Sequence, residues 1–373
     1  MRKTWISLVI FCVFCRLNAQ NSDIQKLLFA AGFENVQLLE QADTLTIFFE
    51  HREFRSPGHS IQYAQLLIKD LPGKILNWVP IYHNVPIGTY AENGVHFKAL
   101  GKSQRQFYRA NNEPANAYRY HLRLQPDLSA RFGYYSDPFQ IKFNMVLDSR
   151  IYLAPGLSLQ TGLLIPVENR LDAQDMKPRL APSMLHYFAQ PWNNHFLAAS
   201  IGTFYYDRYG FDLQYRYAPP AGRWSFGLET GLTGFYRLNS GSFYAETMQD
   251  LYLLGDAEYR LGFENLSLKL TAGQFLFEDK GARIDLIKQY GAVDFGLFFA
   301  GTQTGETLGF QFAFSLLPGN VYRNQKLQVR TTEEFRWEYS YNNEELVARR
   351  YRIGMPRLSD NLRQYNINFI RHL

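Results

Sequence analysis

Cysteine is nearly missing from this 373-residue sequence: there are two, Cys12 and Cys15, both within the first 20 residues. Beyond them, thiol catalysis, cysteine metal ligation and a disulfide framework are excluded. Long apolar runs are missing as well. No run of 18 apolar residues follows residue 20, which excludes helical membrane spans. The eight histidines are scattered, without a His-x-x-x-His pair or a His-Glu-x-x-His helix for a metal. No Gly-x-Ser-x-Gly elbow and no phosphate-cradling glycine loop occurs. His195 and Ser200 suggest a hydrolase pair, but on one strand their odd separation puts them on opposite faces. Asp172 and Asp175 share a polar loop that reads either as a calcium site or as a solvated loop. No catalytic constellation emerges, and the sequence calls for no cofactor and no metal.

Residues 1–20 carry a basic start at Arg2 and Lys3, an apolar core from Trp5 to Cys15, and Leu17-Asn18-Ala19 before Gln20. This is the pattern of a secretory signal peptide over 1–19. Without Arg2, Lys3 and Arg16 the formal charge falls from +5 to +2, so the basicity implies no nucleic-acid partner.

Residues 20–90 read as a small α/β domain. Ser22 and Gln25 make a capping box, and Ile24, Leu27, Leu28 and Ala31 give a helical stripe ending at Gly32. Val36–Leu39 and Thr44–Glu50 read as a strand pair. Ser56-Pro57 starts a second helix buried through Ile61, Ala64, Leu67, Ile68 and Leu71, with Pro72-Gly73 as its stop. A strand follows over Ile75–Tyr82, and Pro80, Pro86 and Gly88 read as a linker.

What the sequence has in abundance is aromatic residues, 30 Phe and 25 Tyr, arranged with a period of two from about residue 95 to the end. Phe139, Ile141, Phe143 and Met145 alternate with Gln140, Lys142 and Asn144. Leu266, Leu268 and Leu270 alternate with Ser267, Lys269 and Thr271, and Leu308, Phe310, Phe312 and Phe314 with Gly309, Gln311 and Ala313. Successive side chains of a strand point to opposite faces, so one face is greasy and the other small or polar. Repeated along a secreted chain, this predicts an all-β transmembrane outer-membrane β-barrel over 95–373. About 12–16 antiparallel strands and an even number are expected. A mean hydropathy of −0.28 is no objection, because half of each strand faces a polar interior. Tyr365, Ile367 and Phe369 read as the closing strand, although Arg371-His372-Leu373 lacks a terminal aromatic.

The polar parity holds Lys142, Arg150, Arg216, Arg223, Glu229, Glu258, Arg260, Lys269 and Asp294. Charges of both signs in a confined lumen pair or stay wet, which favours a narrow or plugged interior over a wide pore. Such a network is either structural or functional. The same parity holds Tyr152, Phe204, Tyr206, Tyr252, Phe275 and Phe298, read either as flat platforms for sugar rings or as interior filling and membrane-interface girdle.

Two blocks carry a family resemblance, 137–165 and 265–302. Gly273, Phe275, Leu276, Asp279, Gly281, Gly296, Phe298 and Thr302 match a "G-x-Y-L-x-x-D-x-G" turn joined to a glycine-spaced strand, with Phe275 in place of Tyr. This resembles the YjbH-like exopolysaccharide-biosynthesis outer-membrane proteins. The resemblance implies a non-enzymatic barrel assisting exopolysaccharide or capsule export or assembly in the outer membrane of a Gram-negative-type bacterium. Its N-terminal domain would lie in the periplasm. The expected partners are outer-membrane lipid, polysaccharide, and export proteins contacted through residues 20–90. The alternatives are an outer-membrane enzyme acting on lipid or lipopolysaccharide, and a general porin or structural barrel. In the turn 278–281, Gly281 is expected to supply a positive φ and Asp279 to bond a neighbouring amide.

Overall fold

The computed structural model describes residues 22–373 apart from 69–73, 92–95, 114–116, 133–137, 240–241, 264, 320 and 342–346. The signal segment and the Leu71-Pro72-Gly73 helix stop lie outside the described residues. The chain is mostly β-strand with few helices, and no helix among the described residues is long and apolar enough to cross a membrane.

The N-terminal unit begins with helix α1 over 22–30. Strands β1 (Phe33–Gln41), β2 (Thr44–His51) and β3 (Ile75–Tyr82) follow, with helix α2 (Pro57–Ile68) between the last two. The α2 entry is the predicted one: Ser56 Oγ accepts from Gly58 N at 3.2 Å, with Pro57 at the first helical position. The expected linker is instead part of this unit. Pro80 lies in β3, β4 (Val85–Pro86) pairs with it, and β5 (Thr89–Ala91) and β6 (His96–Lys98) extend the sheet. Helix α3 (Lys102–Ala110) then seats Tyr108 against Phe48, Val79 and Ile81. Pro80 lies at the last paired position of β2 with β3, where a missing amide costs little.

The ring strands are β7 (Tyr120–Phe132), β8 (Phe139–Ala154), β9 (Leu157–Asn169), β11 (Met184–Trp192), β12 (His195–Phe204) and β13 (Arg208–Tyr217). They continue with β14 (Trp224–Asn239), β16 (Asp250–Arg260), β17 (Leu266–Gln274), β18 (Lys280–Tyr290), β19 (Val293–Thr302) and β20 (Glu306–Phe314). Short β10 (Arg179–Leu180), β15 (Ser242–Ala245) and β21 (Tyr322–Arg323) flank them. Each long strand pairs antiparallel with the next, and the paired path closes on itself. Closure is made by a split strand: β22 (Leu327–Thr331) pairs with β7, and β23 (Phe335–Ser340) pairs with β20. The β22–β7 pairing is parallel, which corrects the all-antiparallel expectation. At the end facing the N-terminal unit the turns at Gly156 (φ +76) and Gly291 (φ +53) are tight, and the same end carries the long 315–334 connection that holds β21 and β22. The opposite end carries the longer 170–183 connection and the β15 hairpin.

The alternation predicted from sequence sorts the side chains. Leu268, Leu270, Phe295, Leu297, Phe299 and Leu308 are exposed on the outer face, and their strand neighbours are buried in the lumen. Inside lie Lys142, Arg150, Arg216, Glu229, Glu258, Arg260, Lys269 and Asp294; Arg223 is exposed.

The expected closing strand at 365–369 is not a strand. After residue 346 the chain enters the ring from the end opposite the N-terminal unit and runs through the lumen. There it forms helices α4 (Leu358–Arg363) and α5 (Ile367–Arg371). Asn366 caps α5 by accepting from Asn368 N at 3.0 Å, and Ile370 packs into the core of the N-terminal unit.

Candidate functional site

The lumen is filled from both ends, and the charges on the inner parity hold what fills it. The tail is fixed at entry by the 273–281 turn. Asp279 is 3% exposed; one carboxylate oxygen accepts from Ala348 N at 2.8 Å, the other from Thr304 N and Oγ1 at 3.1 and 2.8 Å. Leu276 N donates to Arg349 O at 3.1 Å, and buried Phe275 and Leu276 pack beside Val347, Ala348 and Tyr351. The motif is therefore a latch on the tail as well as a turn. The positive φ sits at Phe277 (62°) and Glu278 (60°) rather than at Gly281. Gly281 is needed for space, since a Cβ there would stand 2.3 Å from Gly301 O. Gly273 combines both demands, with φ +142 and Leu253 O 2.2 Å from an added Cβ. Thr302 orders the neighbouring turn through Gly305 O at 2.8 Å, and Gly296 leaves room for Gln311. Phe298 lies under the Arg283 guanidinium at 3.7 Å.

Further along, the tail engages strands around the whole ring. Arg352 pairs with Asp127 on β7 at 2.6 Å, Arg357 with Glu229 on β14, and Arg363 with Glu258 on β16 at 2.6 Å. Leu358 N donates to Gln214, Lys269 Nζ to Ser359 Oγ, and Gln364 Nε2 to Asp294, all within 3.0 Å. Glu258 and Arg363 are both buried, so each relies on the other for compensation.

The N-terminal unit closes the other end through buried ion pairs. Glu34 accepts from Arg52 at 2.5 Å and from His121 of β7 at 2.9 Å. Arg55 pairs with Asp294 at 2.6 Å and with Glu334. Glu50 accepts from Tyr152 of β8 at 2.5 Å, from Tyr118 at 2.6 Å and from Asn84 N at 3.1 Å. Burial raises the Glu50 carboxyl above its ordinary range, against the opposing pull of Arg52. Glu34 is lowered instead: burial would raise it, but Arg52 and His121 outweigh that. Burial lowers His51 to about 3 and holds His83 well below 6.5.

Of the six predicted sugar platforms, Phe275 packs in the latch and Phe298 lies under Arg283, and the other four divide. Tyr152 stacks on Tyr118 at 4.1 Å, Phe204 on Tyr351 at 5.1 Å, and Tyr252 meets Tyr351 edge-on at 5.2 Å while donating to Asp212. These three faces are covered by the chain itself. Tyr206 stands half-exposed on the β12–β13 turn at φ +64. Asp172 pairs with Lys142 at 2.6 Å, and among the described residues no acidic or histidine cluster able to hold a metal occurs.

Sequence reasoning missed one pair. His186 on β11 faces Ser200 on β12 in register, and its Nδ1 lies 2.9 Å from Ser200 Oγ. Only strand pairing reveals it, because the two residues lie 14 apart. Both are buried, with the His83 ring 4.8 Å from that of His186.

A family model described as exopolysaccharide biosynthesis protein YbjH matches residues 16–313. No curated protein and no solved structure matches.

Proposed function

From the chain's membership of the YjbH exopolysaccharide biosynthesis family, we propose that it is an outer-membrane β-barrel assisting exopolysaccharide or capsule export or assembly without catalysis. One observation carries the membrane reading. Rows of exposed leucine and phenylalanine circle the outside of the ring, while buried arginine, lysine and carboxylate side chains fill the inside; Lys288, on the outward parity, and exposed Arg223 are exceptions. A soluble protein seldom exposes an apolar patch beyond a few hundred Å2, whereas a lipid-facing barrel wall requires one. The tight turns at Gly156 and Gly291 beside the N-terminal unit, set against the 170–183 connection and the β15 hairpin at the other end, support a periplasmic position for that unit. On it, Leu66 and Ile75, 75% and 57% exposed, suit contact with export proteins. The latch, the tail and the cap favour a plugged scaffold over a diffusion pore.

The His186–Ser200 pair is the observation that favours an enzyme. Against it, both groups are buried, with the His83 ring 4.8 Å from that of His186. The test is to delete the protein and weigh surface polysaccharide. A large loss restored by the unmodified chain supports the proposal, and unchanged polysaccharide refutes it. Recovery of the mature chain in the soluble fraction would refute the membrane reading separately.

A further inference from the structure

The tail does not fill the lumen completely. A cavity of about 340 Å3 remains between tail residues 347–357 and the wall formed by β7, β18, β20 and β23. It reaches Leu171 and Tyr206 in the connections at the end away from the N-terminal unit. Arg123, Arg131, Arg283 and Arg336 line it from the wall, and Arg349, Arg350, Arg352 and Arg357 from the tail. Among the described residues, four carboxylates line it: Glu333, Glu334, Glu338 and Asp360. Arginines thus outnumber them two to one.

Each of those carboxylates is already engaged. Glu333 holds Arg123 and Arg330 at 2.9 and 2.8 Å, and Glu334 holds Arg55 and Arg336. Glu338 holds Arg283 at 2.8 Å, and Asp360 holds Arg363 at 3.1 Å. An entering anion would therefore meet guanidinium groups before any uncompensated carboxylate. Four of the lining arginines also lean on other carboxylates of the inner face: Arg123 on Asp148, Arg283 on Asp285, Arg352 on Asp127 and Arg357 on Glu229. Those contacts offset most of the positive charge of Arg123, Arg283, Arg336, Arg352 and Arg357 and fix their guanidinium planes. Aromatic faces fix them further, Arg283 lying 3.7 Å over Phe298 and Arg352 4.3 Å over Tyr205. Planar donors held in place bind carboxylate in paired hydrogen bonds with little ordering cost.

We infer that this cavity binds a short acidic saccharide, one bearing sugar carboxylates, and that the site exists only while the tail occupies the lumen. The volume lies near the lower end of the about 300–1,000 Å3 typical of ligand pockets, which suits a short segment rather than a threaded chain. The saccharide class rests on the proposed function; the acidic character rests on the arginines.

The test is calorimetric titration of the full mature protein in detergent micelles with trigalacturonate, maltotriose and inorganic phosphate. Trigalacturonate should bind at least about tenfold more tightly than either control, and more weakly as salt is raised. Arg131→Gln with Arg350→Gln should weaken it about tenfold or more, while Arg350→Lys retains most of the affinity. Variants are compared only where the unheated gel mobility of the unmodified barrel is kept. Equal binding of maltotriose overturns the role of charge, equal binding of phosphate overturns the saccharide, and no binding overturns the site. If trigalacturonate fails to bind but deletion still lowers surface polysaccharide, only this inference falls. If it binds and deletion has no effect, the export role falls and the site stands.

Discussion

The N-terminal cap closes an apolar core within itself, whereas the C-terminal tail buries its apolar side chains, among them Tyr351, Ile353, Leu358 and Leu362, against the ring. Ile24, Leu28, Phe33, Ile47, Phe49, Ile61 and Trp78 pack together within the cap, and Ile370 of the tail joins them. The tail has helices of six and five residues, too short to be stable alone, and is held by partners on the ring. Burial within the cap stabilises it whatever its neighbour, while the apolar contacts, ion pairs and backbone contacts of the tail form only where the ring presents the matching groups. The cap is an attached domain. The tail is an interior element of the ring of strands.

The comparison breaks most sharply at Glu258. Glu258→Ala leaves Arg363 buried without its main partner, and destabilisation of about 3–5 kcal/mol is expected. Heating curves of the barrel's gel mobility read this directly. Glu258→Leu combined with Arg363→Met should recover much of the loss, because no uncompensated charge remains. A single variant as heat-resistant as the unmodified chain would mean that the pair does not hold the tail.

The latch gives the next effect. Asp279→Ala removes the acceptor for Ala348 N, Thr304 N and Thr304 Oγ1, and should cost about 1–3 kcal/mol while loosening the tail entry. Limited proteolysis should then cut near residue 348, with the cap left intact. Gly281→Val should instead lower barrel yield, since its side chain meets the Gly301 carbonyl. Cleavage in the cap before the tail would reverse the assignment.

A smaller effect is expected from acid. His51 and His83 are held neutral in the cap with values below the ordinary 6.5. Their stabilisation is complete above about 6.5 and is lost as pH falls toward 3. Glu34, lowered from 4.5, adds a further loss below that value, while Glu50, raised from 4.5, opposes both. Hydrogen exchange of the cap should therefore be faster, corrected for intrinsic rates, at pH 5 than at pH 7.5. Greater protection at pH 5 would show that Glu50 dominates. The smallest effect belongs to Ser200→Ala, which should leave surface polysaccharide unchanged; its loss would reopen the enzyme reading.

These differences also account for what was legible in the sequence. A strand shows both faces to a reader who counts by twos, so the outward Leu268 and Leu270 and the inward Lys269 separated cleanly. The tail defeated the same count. Tyr365, Ile367 and Phe369 alternate over five residues, too short a window to distinguish period two from 3.6. Tyr365 and Phe369 are equally spaced by four, and Asn366 before Ile367 is an N-cap signal. The charges of the inner face were legible as a group, but their partners were not. Glu258 meets Arg363 across 105 residues, a distance that only the assembled ring closes. Asp279 was recognised as a turn residue, and its hold on Ala348, 69 residues on, lay beyond local reasoning. Gly281 was misread because a turn glycine suggests positive φ, whereas here it provides close approach between strands.

The central claim, a barrel in the outer membrane plugged by its own tail and capped by its own N-terminal unit, is tested most directly by electrical recording. The full mature protein, inserted into a planar bilayer, should give no steady open channel at moderate voltage. A stable ohmic conductance from the unmodified chain would contradict the account.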